Sequence, residues 1–267
     1  MMRKGVYAAF LALLLAAATS AQDGPYGILN DVGFDQKLDA VAPSGLEFLD
    51  STGAPVRLGD YLGEKPVVLN LVYFECPMLC TLVMDGLTRA MRAIAFDAGE
   101  EYEVLSVSFD PAETPAIAAV RREAYLNSYG RGDAGWRFLT GQEEAIRQLA
   151  GAVGFRYAWD EASGQWAHPS GLVVLTPEGR VSKYLYGIEY SARDLRLALV
   201  DAASGGIGSP VDQLLLYCFH YDPATGRYGF VVMNAIRLLG LATIGGLGLF
   251  IALALRREGA SGGEDAR

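Results

Sequence analysis

The chain has 267 residues, 51% of them hydrophobic, and a formal net charge of −9. That length and apolar content allow one or two domains with a packed core, and the acidic balance argues against a nucleic-acid partner, which needs a basic face for phosphates. Three cysteines are too few for a disulfide-stapled scaffold.

Taken from the start, the first 21 residues read as a cleavable signal peptide. They comprise a basic "MMRK", an apolar stretch of 13 residues from Val6 to Ala18, and a small-residue exit ending at Ala21. The apolar stretch is short for a bilayer span, and the rival reading is an uncleaved N-terminal anchor. Residues 22–41 show no clear period and read as an extended lead-in. "LEFLDSTGAPVRLGDYLGEKP" alternates apolar and polar residues around a turn, as a β-hairpin does.

"VVLNLVYF", 67–74, is apolar enough for a central strand buried on both faces. From Cys76 onward, Leu79, Leu82, Val83, Leu87, Ala90, Met91 and Ile94 recur at helical steps, which predicts an amphipathic helix starting at the first cysteine. "YEVLSVSF", 102–109, is a second buried strand. Residues 115–130 form a helix with Pro115 in its first turn and Gly130 as C-cap. "EEAIRQLAGAVGF" is a further helix, 171–187 a hairpin turning at Pro177–Gly179, and "SARDLRLALVDAA" a last helix opened by Ser191. This order predicts an α/β layer architecture of thioredoxin type over residues 42–203.

Residues 204–230 read as a linker, flexible over "SGGIGSP", and a juxtamembrane segment. Leu238 to Leu255 gives 18 consecutive residues without a charge, so a transmembrane helix is expected over 231–255, with Arg237 snorkelling outward. Arg256 and Arg257 follow at once and favour a cytoplasmic tail, 256–267. Both ends therefore predict a single-pass protein of the inner membrane with its body on the periplasmic side. Just before the anchor, Cys218 and His220 lie two apart. On an extended segment they share a face and suit a weak contact for a soft metal ion or a waystation in its transfer; the alternative is an aromatic segment seated at the membrane interface.

Cys76 and Cys80 are the other two cysteines, spaced Cys-x-x-x-Cys. A cysteine in the first turn of a helix feels the positive end of the dipole, which favours the thiolate. Redox catalysis usually employs Cys-x-x-Cys. With four-residue spacing on a helix, both sulfurs lie on one face and can share an ion, Cu(I) or Zn(II) by softness. Metal binding, a redox disulfide and a structural role all remain open on this spacing. His168, in "WAHPSGLVVL", sits just before a strand, and in a thioredoxin-like fold that loop faces the cysteine-bearing helix. It is the natural third ligand.

These features resemble the SCO/SenC copper proteins, extracytoplasmic thioredoxin-like chaperones of cytochrome c oxidase assembly. The likeness spans roughly 42–203 and rests on a strand running into "FECPMLC", on "SFDPAETP", and on the histidine ahead of a strand and "TPEG" turn. The resemblance implies that Cys76, Cys80 and His168 bind copper; the soft thiolates favour Cu(I), Cu(II) binding stays open, and in an oxidising compartment Cys76 and Cys80 can form a disulfide. It also places Asp110 near the site, though Asp110 equally suits a cap for the next helix. Two positions depart from the family pattern: Thr81 stands where Pro is usual, and Ala167 where Asp is usual. The implied function is a metallochaperone that delivers copper to the binuclear site of oxidase subunit II, with a copper donor protein and a thiol reductant as further partners. The alternative is a thiol–disulfide reductase that keeps the client's cysteines reduced, in which His168 is dispensable. Peroxidase activity is disfavoured, because no peroxidase-type threonine and arginine surround Cys76.

Overall fold

The computed structural model describes residues 31–76, 79–132, 135–208, 221–222, 227–228 and 237–248. One compact unit runs to Ile207 and a second comprises Gly208–Arg267. In the first, the strands are β1 (Gly33–Phe34), β2 (Glu47–Asp50), β3 (Pro55–Arg57), β4 (Val67–Val72), β5 (Glu103–Ser108), β6 (Trp136–Gly141), β7 (Phe155–Arg156), β8 (Ala158–Asp160), β9 (Gln165–Ala167), β10 (Gly171–Leu175) and β11 (Val181–Tyr186). The helices are α1 (Leu79–Ala93), α2 (Pro115–Tyr129), α3 (Glu143–Ala152) and α4 (Ala192–Ala203).

Seven strands form one sheet in the order β11-β10-β4-β5-β6-β2-β3. β4, β5 and β6 are parallel, and β10 and β2 run antiparallel on either side of them. The parallel connections β4–α1–β5 and β5–α2–β6 step in the same direction across the sheet, and the right-handed rule for such crossovers puts both helices on one face. α1 packs between α2 and α4, above the central strands. All six residues of β4 are buried, as its apolar run predicts. This is the thioredoxin-like α/β fold expected from the order of elements.

Several expectations hold in detail. The hairpin over the first alternating stretch is β2–β3, and the later one is β10–β11. Gly130 ends α2 at φ 72°, the left-handed region that glycine enters without strain. Ser191 caps α4 by accepting the Asp194 N–H at 3.0 Å. Three features depart from the sequence reading. The helix is described from Leu79 to Ala93, and Cys76 lies outside it, closing a turn by donating its N–H to the Tyr73 carbonyl at 3.3 Å. β6 was not expected, because Arg137 and Thr140 interrupt its apolar residues; it is nonetheless paired on both sides, by β5 and β2. The lead-in is not merely extended. β1 pairs with β7, and Val41 bridges Arg180 at the turn of the β10–β11 hairpin.

The linker is also anchored at its start, where the Gly206 carbonyl accepts the Ser182 hydroxyl at 2.6 Å and the Gly206 N–H reaches the Asp201 carbonyl at 2.8 Å. In the second unit, Tyr221–Asp222 pairs antiparallel with Arg227–Tyr228, and residues 237–248 are helical. Among the described residues no helix is long and apolar enough to cross a membrane. The signal peptide at 1–21, Cys218, His220, the tail at 256–267 and most of the segment expected to span lie outside the described residues.

Candidate metal centre

The site forms where β4 leaves the sheet. The antiparallel register that sets Val173 opposite Leu69 brings the start of β10 beside the end of β4. His168, in the short link between β9 and β10, therefore meets the turn that carries Cys76. The ligand-capable atoms of Cys76, Cys80 and His168 all lie within 4.8 Å of one another. The three side chains are buried, with exposures of 5%, 3% and 8%. Neither Cys76 nor Cys80 is in a disulfide. Because Cys76 precedes the helix, the sulfurs converge through the turn and not through a shared helical face.

The hydrogen bonds assign the imidazole its tautomer. His168 Nδ1 lies 2.9 Å from the Pro169 carbonyl, an acceptor, so Nδ1 carries the proton. Nε2 then presents its lone pair to Cys80 Sγ at 3.1 Å. A backbone carbonyl thus does the orienting that an acidic side chain does in many metal–histidine pairs, which answers the alanine at position 167. Thr81, at the other departure from the family pattern, donates its hydroxyl to the Cys76 carbonyl at 3.4 Å. Rings enclose the imidazole: Phe109 lies 5.1 Å away by centroid, Tyr73 5.9 Å and Phe155 6.4 Å.

The sulfurs also receive N–H groups. Tyr73 N–H points to Cys80 Sγ at 3.4 Å, and Cys80 N–H to Cys76 Sγ at 3.3 Å. The sequence predicts thiols favoured as thiolates by the helix dipole. For Cys80 the opposite holds: burial pushes its pKa far up, reinforced by the neighbouring Cys76 and only partly offset by the Tyr73 N–H. Desolvation outweighs the dipole because the sulfur is enclosed. Burial also raises the Tyr73 phenol, which hydrogen-bonds Cys76. A positive ion among the sulfurs reverses this balance by displacing the thiol proton.

Two soft sulfurs and one neutral imidazole nitrogen suit Cu(I) or Zn(II) and are poor ligands for hard cations. Among the described residues this is the only group of three or more His, Cys, Asp or Glu placed to share an ion. Asp110 is not part of it. Its carboxylate accepts the Ala112 N–H at 2.9 Å, and Thr114 occupies the cap position of α2, so Asp110 shapes a turn. The residue that sequence reasoning passed over is Glu113. It is 6% exposed and accepts the N–H groups of Phe74 and Glu75 at 2.8 and 2.6 Å. Burial raises its pKa, against the pull of those donors and Ser108.

Residues 37–201 match the family model described as SCO1/SenC. No curated protein matches the chain. Similar solved structures include a putative electron transfer protein from Aquifex aeolicus VF5, 26% identical over 63% of this chain and 95% of that one, with a TM-score of 0.56. Another is a SCO1/SenC family lipoprotein from Bacillus anthracis str. Ames, 19% identical over 64% and 99%, TM-score 0.52. A third is BsSco, described as a Sco family cytochrome c oxidase assembly protein with a disulfide switch, 19% identical over 63% and 97%, TM-score 0.51. The match covers most of the chain and includes all three donor residues, and the chain belongs to the SCO1/SenC family.

Proposed function

We propose that this protein is a copper-binding factor in cytochrome c oxidase assembly, which takes up Cu(I) at Cys76, Cys80 and His168 and delivers it to the binuclear site of oxidase subunit II. The observation that carries the reading is the buried pair of sulfurs with His168 Nε2 3.1 Å from Cys80 Sγ. Family membership supports it, as does BsSco's description as an oxidase assembly protein.

Copper is cargo here. Its binding displaces the Cys80 proton and leaves a low-coordinate ion that an incoming client thiolate can attack. The neutral imidazole is the natural first ligand to leave, since its departure separates no charge and Nδ1 stays bound to the Pro169 carbonyl. Each new copper–sulfur bond then forms as a bond to His168 or a cysteine breaks, so the ion is never released free.

The terminal sequences support an extracytoplasmic body with a cleaved signal peptide and one anchor over 231–255 in the inner membrane. A copper donor and a thiol reductant complete the cycle, because an oxidising compartment converts the thiol pair into a disulfide. The proximity of the two sulfurs also favours a second reading, a thiol–disulfide reductase acting on the client's cysteines. Copper content of reduced wild-type protein and of His168→Ala separates the two. The chaperone reading expects one copper per chain in the wild type and a lower content in the variant, with thiol reactivity retained. Equal copper in both removes His168 from the site, and no copper in the wild type leaves the reductase.

A further inference from the structure

We propose that Glu113 is a positioning residue for the Cys76–Cys80 pair, holding the turn from which Cys76 projects. Parallel pairing of β4 with β5 ends at Val72 opposite Ser108, and the Phe109 N–H then reaches the Val72 carbonyl at 2.8 Å. Beyond that point the chain from Tyr73 to Cys76 has no strand beside it to accept its N–H groups. Each buried N–H needs an acceptor, and all four find one. Tyr73 N–H goes to Cys80 Sγ, Phe74 N–H to Glu113 Oε2, Glu75 N–H to Glu113 Oε1, and Cys76 N–H to the Tyr73 carbonyl. A single carboxylate thus receives the two successive groups that precede Cys76.

Glu113 lies after β5, so this contact ties the exit of one strand to the exit of its neighbour. Ser108 supplies the third donor, its hydroxyl reaching Glu113 Oε2 at 2.5 Å. Three donors converge on a side chain 6% exposed. Only an ionised carboxylate offers acceptors on both oxygens and no donor. Glutamine turns an NH2 group towards one of the N–H donors, and aspartate is a methylene short. A buried carboxylate without partners is costly, and here charge-assisted hydrogen bonds compensate it while fixing atoms in direction as well as distance.

The inference rests on the proposed copper site for one readout and is independent of it for the other. In the full chain, Glu113→Gln is compared with wild type and with Phe48→Leu, a buried β2 substitution that lowers stability without touching the turn. Cu(I) affinity is measured against a competing chelator. The equilibrium between the Cys76–Cys80 dithiol and disulfide is measured in mixtures of reduced and oxidised dithiothreitol, each reduction consuming one dithiol reagent and forming its cyclic disulfide. Glu113→Gln weakens Cu(I) binding by about 10- to 100-fold, the usual cost of losing an outer support of a metal site. It also shifts the equilibrium towards the dithiol by about tenfold or more, since a loosened turn lowers the effective concentration of one thiol at the other. Ser108→Ala, which keeps both backbone contacts, shifts the same equilibrium less and decides the matter if Glu113→Gln does not fold. Phe48→Leu changes neither readout. A Glu113→Gln protein that loses stability as the control does, with both readouts unchanged, overturns the proposal. If the wild type binds no Cu(I), the copper reading falls and the dithiol equilibrium alone judges Glu113.

Discussion

The two ends of the parallel strands each hold a carboxylate drawn in from solvent, half-buried Glu103 at one and buried Glu113 at the other, and they treat it differently. Where β5 begins, Glu103 faces Lys65 Nζ at 3.8 Å, with Arg137 adding to the field, yet one of its oxygens is without a hydrogen-bond partner. Where β4 and β5 end, Glu113 is bound by two backbone N–H groups and a hydroxyl. Burial raises the pKa of both. The first end compensates charge by proximity, which constrains positions weakly. The second uses directed hydrogen bonds, which fix the turn that carries a ligand. A fold of this class places its chemistry at the carboxyl ends of its parallel strands, and that is the end where this chain has spent its geometry.

The largest effect expected at the site end comes from the sulfurs. Cys76→Ser replaces a soft donor by a hard hydroxyl, and a competition titration should show Cu(I) affinity falling by more than about 100-fold, beyond the loss typical of outer support residues. Cys80→Ser should do the same. A loss below tenfold would mean that the ion sits elsewhere.

Next comes the helix that carries Cys80. Alanine in place of a helix-interior glycine normally gains up to about 1 kcal/mol. A Cβ at Gly86 would instead overlap the Ile188 carbonyl on the segment that leads from β11 to α4. Gly86→Ala should therefore destabilise by about 1–3 kcal/mol, as other overpacked sites do. Denaturant midpoints check the sign, and a stabilised variant would show that this contact yields.

His168→Ala keeps both thiols and should cost less than either cysteine, about tenfold in Cu(I) affinity, since a two-sulfur site still satisfies a soft ion. The same titration reads it. At the opposite end the effect should be smallest. A carboxylate whose folded pKa is raised contributes stability when protonated and loses it as pH rises through that pKa. Glu103→Gln removes that liability at neutral pH together with a partly exposed ion pair, so stability should change by less than about 1 kcal/mol. Cu(I) affinity should not change at all. A shift in affinity there would erase the distinction between the two ends.

Much of the site was legible because the residues able to form it are scarce. With two histidines and three cysteines in 267 residues, a four-residue cysteine spacing after a buried strand leaves few partners. Glu113 was not legible in the same way. An acid in "DPAETP" between a strand and a helix has the look of a solvated turn, and only the pairing of β4 with β5 turns it inward. The thiol expectation failed for a related reason: the dipole is read from local sequence, whereas the burial of Cys80 depends on His168 and Tyr73 arriving from elsewhere. In the fold, strong periods identified β4, β5 and the four helices. β6 escaped because Arg137 and Thr140 break its apolar run, and β1 with β7 because two-residue strands carry no period.

The central claim is that the two cysteines and His168 hold one copper ion and do so only as thiols. Cu(I) titration against a competing chelator, run on the full chain with the Cys76–Cys80 pair reduced and then oxidised, tests it most directly. The account predicts one equivalent bound by the reduced protein and none by the disulfide form, because oxidation removes both sulfur ligands at once. Equal affinity in the two states would contradict it.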